Sequence, residues 1–93
     1  MKKEFINAKF EQNNEIDASD LNGDKVMMNL DKGMYFALNN VGSRIWDIIE
    51  KPRDLEEIVN ILMAEYNVDK DECKNSVLSF LEGLERDDLI KVS

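Results

Sequence analysis

The stretch Lys25-Val-Met-Met-Asn-Leu-Asp-Lys-Gly-Met-Tyr-Phe-Ala-Leu38 decides the fold. Its first six residues alternate, with Val26, Met28 and Leu30 on one face and Met27 and Asn29 on the other, which is the period of a strand. Asp31-Lys32-Gly33 interrupts the alternation, with glycine where a left-handed residue closes a three-residue hairpin loop. Met34 to Leu38 then resumes it, and Met34, Phe36 and Leu38 share a face. Upstream, Glu15 to Leu21 alternates more weakly, Ile16 and Ala18 against Glu15, Asp17 and Ser19, before the tight-turn pair Asn22-Gly23. Three strands with two short connections predict an open antiparallel meander, its middle strand central and its first and third strands at the edges.

After Leu38 the apolar period lengthens to about 3.6, the helical repeat. Asn39 or Asn40 can cap a helix carrying Val41, Ile45, Ile48 and Ile49 on one stripe and Trp46 on its flank, ended by Pro52. Asp54 with Glu57 is a capping-box signal ahead of Leu55, Ile58, Val59, Leu62, Met63 and Tyr66. Asp69 with Glu72 repeats that signal before Cys73, Val77, Phe80, Leu81 and Leu84. Asp88 to Val92 is either a short strand or a docked tail. Residues 1–14 are polar apart from Met1, Ala8 and three larger apolar side chains, Phe5, Ile6 and Phe10, and are expected to be partly mobile, leaving 15–93 as a single domain. The class expected is therefore α+β, a three-stranded antiparallel sheet followed by three helices, as in a winged helix-turn-helix.

The third strand carries neither proline nor charge between Gly33 and Asn39, whereas Glu15, Asp17 and Asp20 lie along the first. An edge without such devices is open to pairing. Either the N-terminal segment or the tail covers it, or it accepts a peptide as an added strand or a second copy of the chain. On the last helix, Leu78 widens the apolar face on the side of Lys74 and Leu81. That widening is either the margin of a broad core stripe or the wall of a groove built by Lys74, Leu78 and Leu81.

The 93 residues hold 12 basic and 20 acidic side chains, no histidine, one cysteine and one proline. A chain of this size makes one domain, with about 60–65% of its unfolded surface available for burial. A lone Cys73 makes no internal disulfide and suits a reducing compartment, and the start Met-Lys-Lys-Glu-Phe has no apolar stretch for a signal or membrane span. A cytoplasmic protein is expected, with no membrane partner. Cys73 lies on a core stripe with no histidine to activate it, so it reads as a buried inert thiol. Trp46 reads as a core anchor, and of Met27, Met28, Met34 and Met63 only Met34 is a contact candidate. Acidic residues such as Glu56, Glu57, Asp71 and Glu72 are explained by helix starts without a metal. The charge sums to −2 over residues 1–32, +1 over 33–53 and −7 over 54–93, which opposes binding to duplex DNA through the helical part. No catalytic residue, cofactor or metal is expected.

Met28-Asn-Leu-Asp-Lys-Gly-Met-Tyr-Phe-Ala-Leu-Asn39, Val41-Gly42, Ile45-Trp46, Arg53-Asp-Leu-Glu-Glu-Ile58 and Val77-Leu-Ser-Phe-Leu-Glu-Gly-Leu84 stand in an order that resembles the PqqD family. These are the peptide-recognition modules of pathways that modify ribosomally made peptides. The likeness runs from about Asp24 to Val92 and departs at Ser76, where the family often has an acidic residue. It is greatest to the leader-binding subunit of the split lasso-peptide maturation protease. The resemblance implies a non-catalytic adaptor that binds the leader of a precursor peptide by strand addition and passes it to a cysteine leader protease and an ATP-dependent cyclase. It implies contacts at Met34, Tyr35, Phe36, Ala37 and Leu38 on the third strand and at Lys74, Val77, Leu78 and Leu81 on the last helix. The alternatives are a chaperone for a radical-enzyme or quinone-cofactor peptide pathway, or a winged-helix transcription regulator.

Overall fold

The computed structural model of the chain describes residues 7–21, 24–29 and 32–93. The meander is present. β2 (Asp17–Leu21), β3 (Asp24–Asn29) and β4 (Met34–Leu38) form an antiparallel sheet in the order β2-β3-β4, with Asp17 opposite Met28 and Met27 opposite Phe36. Gly33 at φ +65° gives the left-handed residue expected of the β3–β4 loop, and the Lys32 amide donates to Asn29 Oδ1 at 3.2 Å. The Asn22-Gly23 turn, Leu30 and Asp31 lie outside the described residues.

The structure decides which face of β3 is inside. Met27 is fully buried and Asn29 nearly so, while Met28 is 44% exposed opposite Tyr35, itself 70% exposed. Alternation assigns residues to two faces but does not say which face meets the helices. Here the helices take the Met27 and Phe36 side.

Three helices follow. α1 (Asn40–Ile48) is capped by Asn39, whose Oδ1 accepts from the Gly42 amide at 2.8 Å. α2 (Leu55–Glu65) starts with the capping box: Glu57 N donates to Asp54 Oδ1 at 2.8 Å and Asp54 N to Glu57 Oε1 at 3.2 Å. α3 (Lys70–Arg86) is capped by Asp69, which accepts from the Asp71 and Glu72 amides. Trp46, Ile49, Ile58, Val59, Leu62, Leu81 and Leu84 are buried in one core, so Trp46 is the anchor expected of it.

The N-terminal segment corrects the sequence reading most. β1 (Lys9–Gln12) is the central strand of a second antiparallel sheet, between β5 (Arg53–Asp54) and β6 (Ile90–Val92). Phe10 is fully buried, so residues 8–14 belong to the folded domain and the boundary at 15 does not stand. Lys9 and Ser93 exchange amide hydrogen bonds at 2.8 and 2.9 Å, the Gln12 amide donates to Ile49 O, and Gln12 Nε2 donates to Trp46 O at 2.7 Å. Met1 to Ile6, including Phe5 and Ile6, lie outside the described residues. The end of the chain, left open between strand and tail, is the strand β6.

Candidate peptide-binding groove

β4 is the strand whose edge was in question. β1 and β6 pair with each other rather than with it, so among the described residues β4 has a strand partner on one side only, β3. The other edge, β2, presents exposed Asp17 and Asp20. An uncharged edge with unpaired backbone groups is a template for an added strand.

Ser43 fixes how this sheet meets α1. It is buried on α1, its Oγ accepting from the Lys25 amide at 2.9 Å and donating to Leu38 O at 3.2 Å, so β3, the end of β4 and α1 meet at one hydroxyl. Lys25 reinforces the joint, with Nζ 3.0 Å from Asp20 and 3.2 Å from Asp47. Its ammonium is held above the ordinary lysine range by the hydrogen bond to Asp20, then by Asp47, against some desolvation.

Where β4 runs into α1 a mainly apolar cavity of about 480 Å³ opens towards α3. Ala37 and Leu38 form one wall, Val41, Gly42 and Ile45 of α1 the floor, and Cys73, Ser76, Val77 and Phe80 of α3 the opposite wall. Leu62, Tyr66 and Val68 close the far end, and Glu72 is the single charged side chain of the lining. Val41, Tyr66 and Val68 leave 37–44% of their surface in solvent, which is unusual for apolar residues meeting at one spot. A bidentate pair steadies α1 against the end of α2, Arg44 Nε to Glu65 Oε1 at 2.8 Å and Arg44 Nη2 to Oε2 at 2.6 Å. The Arg44 hydrogen bond keeps the Glu65 carboxyl below the usual carboxylate range.

Of the residues expected from the sequence, Ala37, Leu38 and Val77 come together in this cavity. Met34, Tyr35 and Phe36 continue the same strand away from it, Met34 and Tyr35 exposed and Phe36 half-buried against the core. Lys74, Leu78 and Leu81 are not in the lining. Leu78 is 2% and Leu81 0% exposed, inside the core, and Lys74 is half-buried. Of the two alternatives for the broad stripe on α3, the structure has the core margin: Leu78 and Leu81 lie inside. Leu78, Leu81 and Leu84 point into the core, which leaves the Cys73–Val77–Phe80 margin to face the cavity.

Val41, Gly42, Tyr66, Val68, Glu72, Ser76 and Phe80 also line the cavity and were not among the contacts expected from the sequence. One signal was available: Val68 is an apolar residue between helices that belongs to no stripe. Cys73 is buried as expected, and burial pushes its thiol above the ordinary cysteine value, so it stays protonated at neutral pH. Among the described residues no cluster of acidic, cysteine or histidine side chains could hold a metal, and no helix is long and apolar enough to cross a membrane.

Fold and groove together define a small winged-helix-like domain with an open sheet edge beside an apolar cleft. The sequence model of the family described as coenzyme PQQ synthesis protein D matches residues 24–90, so the chain belongs to the PqqD family. Two solved structures are similar. One, TbiB1 in complex with the TbiA(beta) leader peptide, is 32% identical with a TM-score of 0.81 over 87% of this chain and 94% of that one. The other, a lasso peptide synthetase B1 complexed with the leader peptide, is 17% identical with a TM-score of 0.79 over 88% and 96%, a likeness of fold. No curated protein sequence matches.

Proposed function

We propose that this chain is a non-catalytic adaptor that binds the leader segment of a ribosomally made precursor peptide. The leader adds as a strand along β4, from Met34 to Leu38, and seats apolar side chains in the cavity between α1 and the Cys73–Val77–Phe80 face of α3. The observation that carries this reading is the junction of an uncharged strand edge, unpaired on its outer side among the described residues, with an apolar cavity. Backbone pairing supplies affinity and the pocket supplies selectivity, the usual division in strand-addition binding. The 32%-identical TbiB1, captured with a leader peptide, supports the same use of the fold.

The adaptor then hands the peptide to a cysteine leader protease and an ATP-dependent cyclase in the cytoplasm, where precursor peptides are made. A second copy can compete for the same edge, so leader binding and self-association would exclude each other. The family description also supports a second reading, a chaperone in a quinone-cofactor pathway. DNA binding is disfavoured by the charge of −7 over residues 54–93.

Titration of the purified chain with synthetic leader peptides tests the proposal. Binding at micromolar concentration is expected for the leader of a lasso precursor encoded beside its gene. Binding only to a quinone-type precursor selects the second reading, and binding to neither removes both.

A further inference from the structure

Resting on the peptide-binding reading, we infer that Gly42 is a positioning residue that sets the capacity of the cavity by letting the Phe80 ring lie against α1. A Cβ built on Gly42 would stand 3.1 Å from Phe80 Cζ, 3.2 Å from Phe80 Cε1 and 3.2 Å from Asn39 Oδ1. Those separations are tighter than ordinary van der Waals contact, so a neighbour must give way by a few tenths of an ångström. Gly42 adopts an ordinary helical conformation within α1, unlike Gly33, so its backbone does not demand glycine. Within a helix glycine is disfavoured relative to alanine. The missing side chain is therefore explained by the ring beside it.

The ring's freedom to yield lies on one side. Gly42 and Phe80 both line the cavity, Phe80 is only half-buried, and the open space in front of the ring is the volume a bound side chain would occupy. A methyl group at residue 42 drives the ring into that space. The contact between one glycine and one aromatic ring thus fixes how large an apolar side chain the groove accepts. Residues 42 and 80 are 38 positions apart and meet only through the packing of α1 on α3.

The test is a double-mutant cycle read by leader binding. Gly42→Ala is expected to keep the fold, because alanine suits the helix, while weakening the leader of the neighbouring lasso precursor at least tenfold. Phe80→Leu should weaken binding modestly by itself. In the Phe80→Leu background, Gly42→Ala should cost less than threefold, because the shorter side chain no longer stands against the new methyl. A loss that persists in that background would assign the effect to the Asn39 cap and overturn the inference, as would unchanged affinity in Gly42→Ala.

A ligand-free measurement separates this inference from the functional reading. With fluorinated phenylalanine, the Phe80 resonance, identified by its loss in Phe80→Leu, should shift in Gly42→Ala while the other phenylalanines hold. An unmoved Phe80 signal would sink the inference even if the leader binds. A wild-type protein that binds no leader would sink the proposed function while the ring shift still reports the packing.

Discussion

At residue 41 a β-branched apolar side chain keeps 43% of its surface in water on a helix whose other large apolar residues are buried. The apolar stripe of α1 predicts Val41 in the core. It lies instead at the start of the helix, in the lining of the cavity. Val41→Asp should therefore leave thermal unfolding nearly unchanged, since exposed substitutions usually fall within about 0.5 kcal/mol. Leader affinity should fall at least tenfold, measured by calorimetry beside a melting curve. Loss of both would return Val41 to the core. Ser43 makes the complementary case: a polar residue, buried because its hydroxyl serves β3 and β4 at once.

Among the elements, β1 is the one whose importance is least visible in its own composition. Lys9-Phe-Glu-Gln12 has one large apolar residue, yet Phe10 is completely buried and paired with both Arg53 and Val92. Phe10→Ala is expected to cost about 3–5 kcal/mol, the range for emptying a buried phenylalanine site. Urea unfolding measures it, and a cost under about 1 kcal/mol would mean that β1 is dispensable. The hairpin of β3 and β4 and the three helices were legible because their signals are local: alternation, a left-handed Gly33, and caps at Asn39, Asp54 and Asp69. β1 was not, because its partners lie more than 40 residues away at Arg53 and about 80 away at Ile90 to Val92. α3 stands between these cases. Its width was legible, but the choice between the Leu78–Leu81 margin and the Val77–Phe80 margin depended on where α1 and α2 came to rest.

Over the whole molecule, the charge of −8 is concentrated in residues 54–93, while the segment from Gly33 to Arg53 is nearly neutral. The uncharged edge of β4 and the cavity, with Glu72 its single charged lining residue, therefore sit beside an acidic helical half. Long-range attraction should favour leaders of net positive charge, and salt should weaken it as the screening length drops from about 30 Å at 0.01 M to about 3 Å at 1 M. Titrations across that range should show a cationic leader losing affinity several-fold and a neutral analogue changing little. Equal salt response for both would mean that the acidic half does not steer the peptide.

Everything that depends on near neighbours could be read along the chain: the class of fold, the hairpin, the helix starts, the uncharged third strand and the absence of histidine. Only the folded arrangement shows which face of β3 is inside, that β1 closes a second sheet with the last residues, and which margin of α3 lines the cavity. The reason is physical. Periodicity divides a strand or helix into faces, but burial goes to whichever face finds a partner, and those partners come from distant parts of the chain. The contact of Gly42 with Phe80 belongs to that second kind.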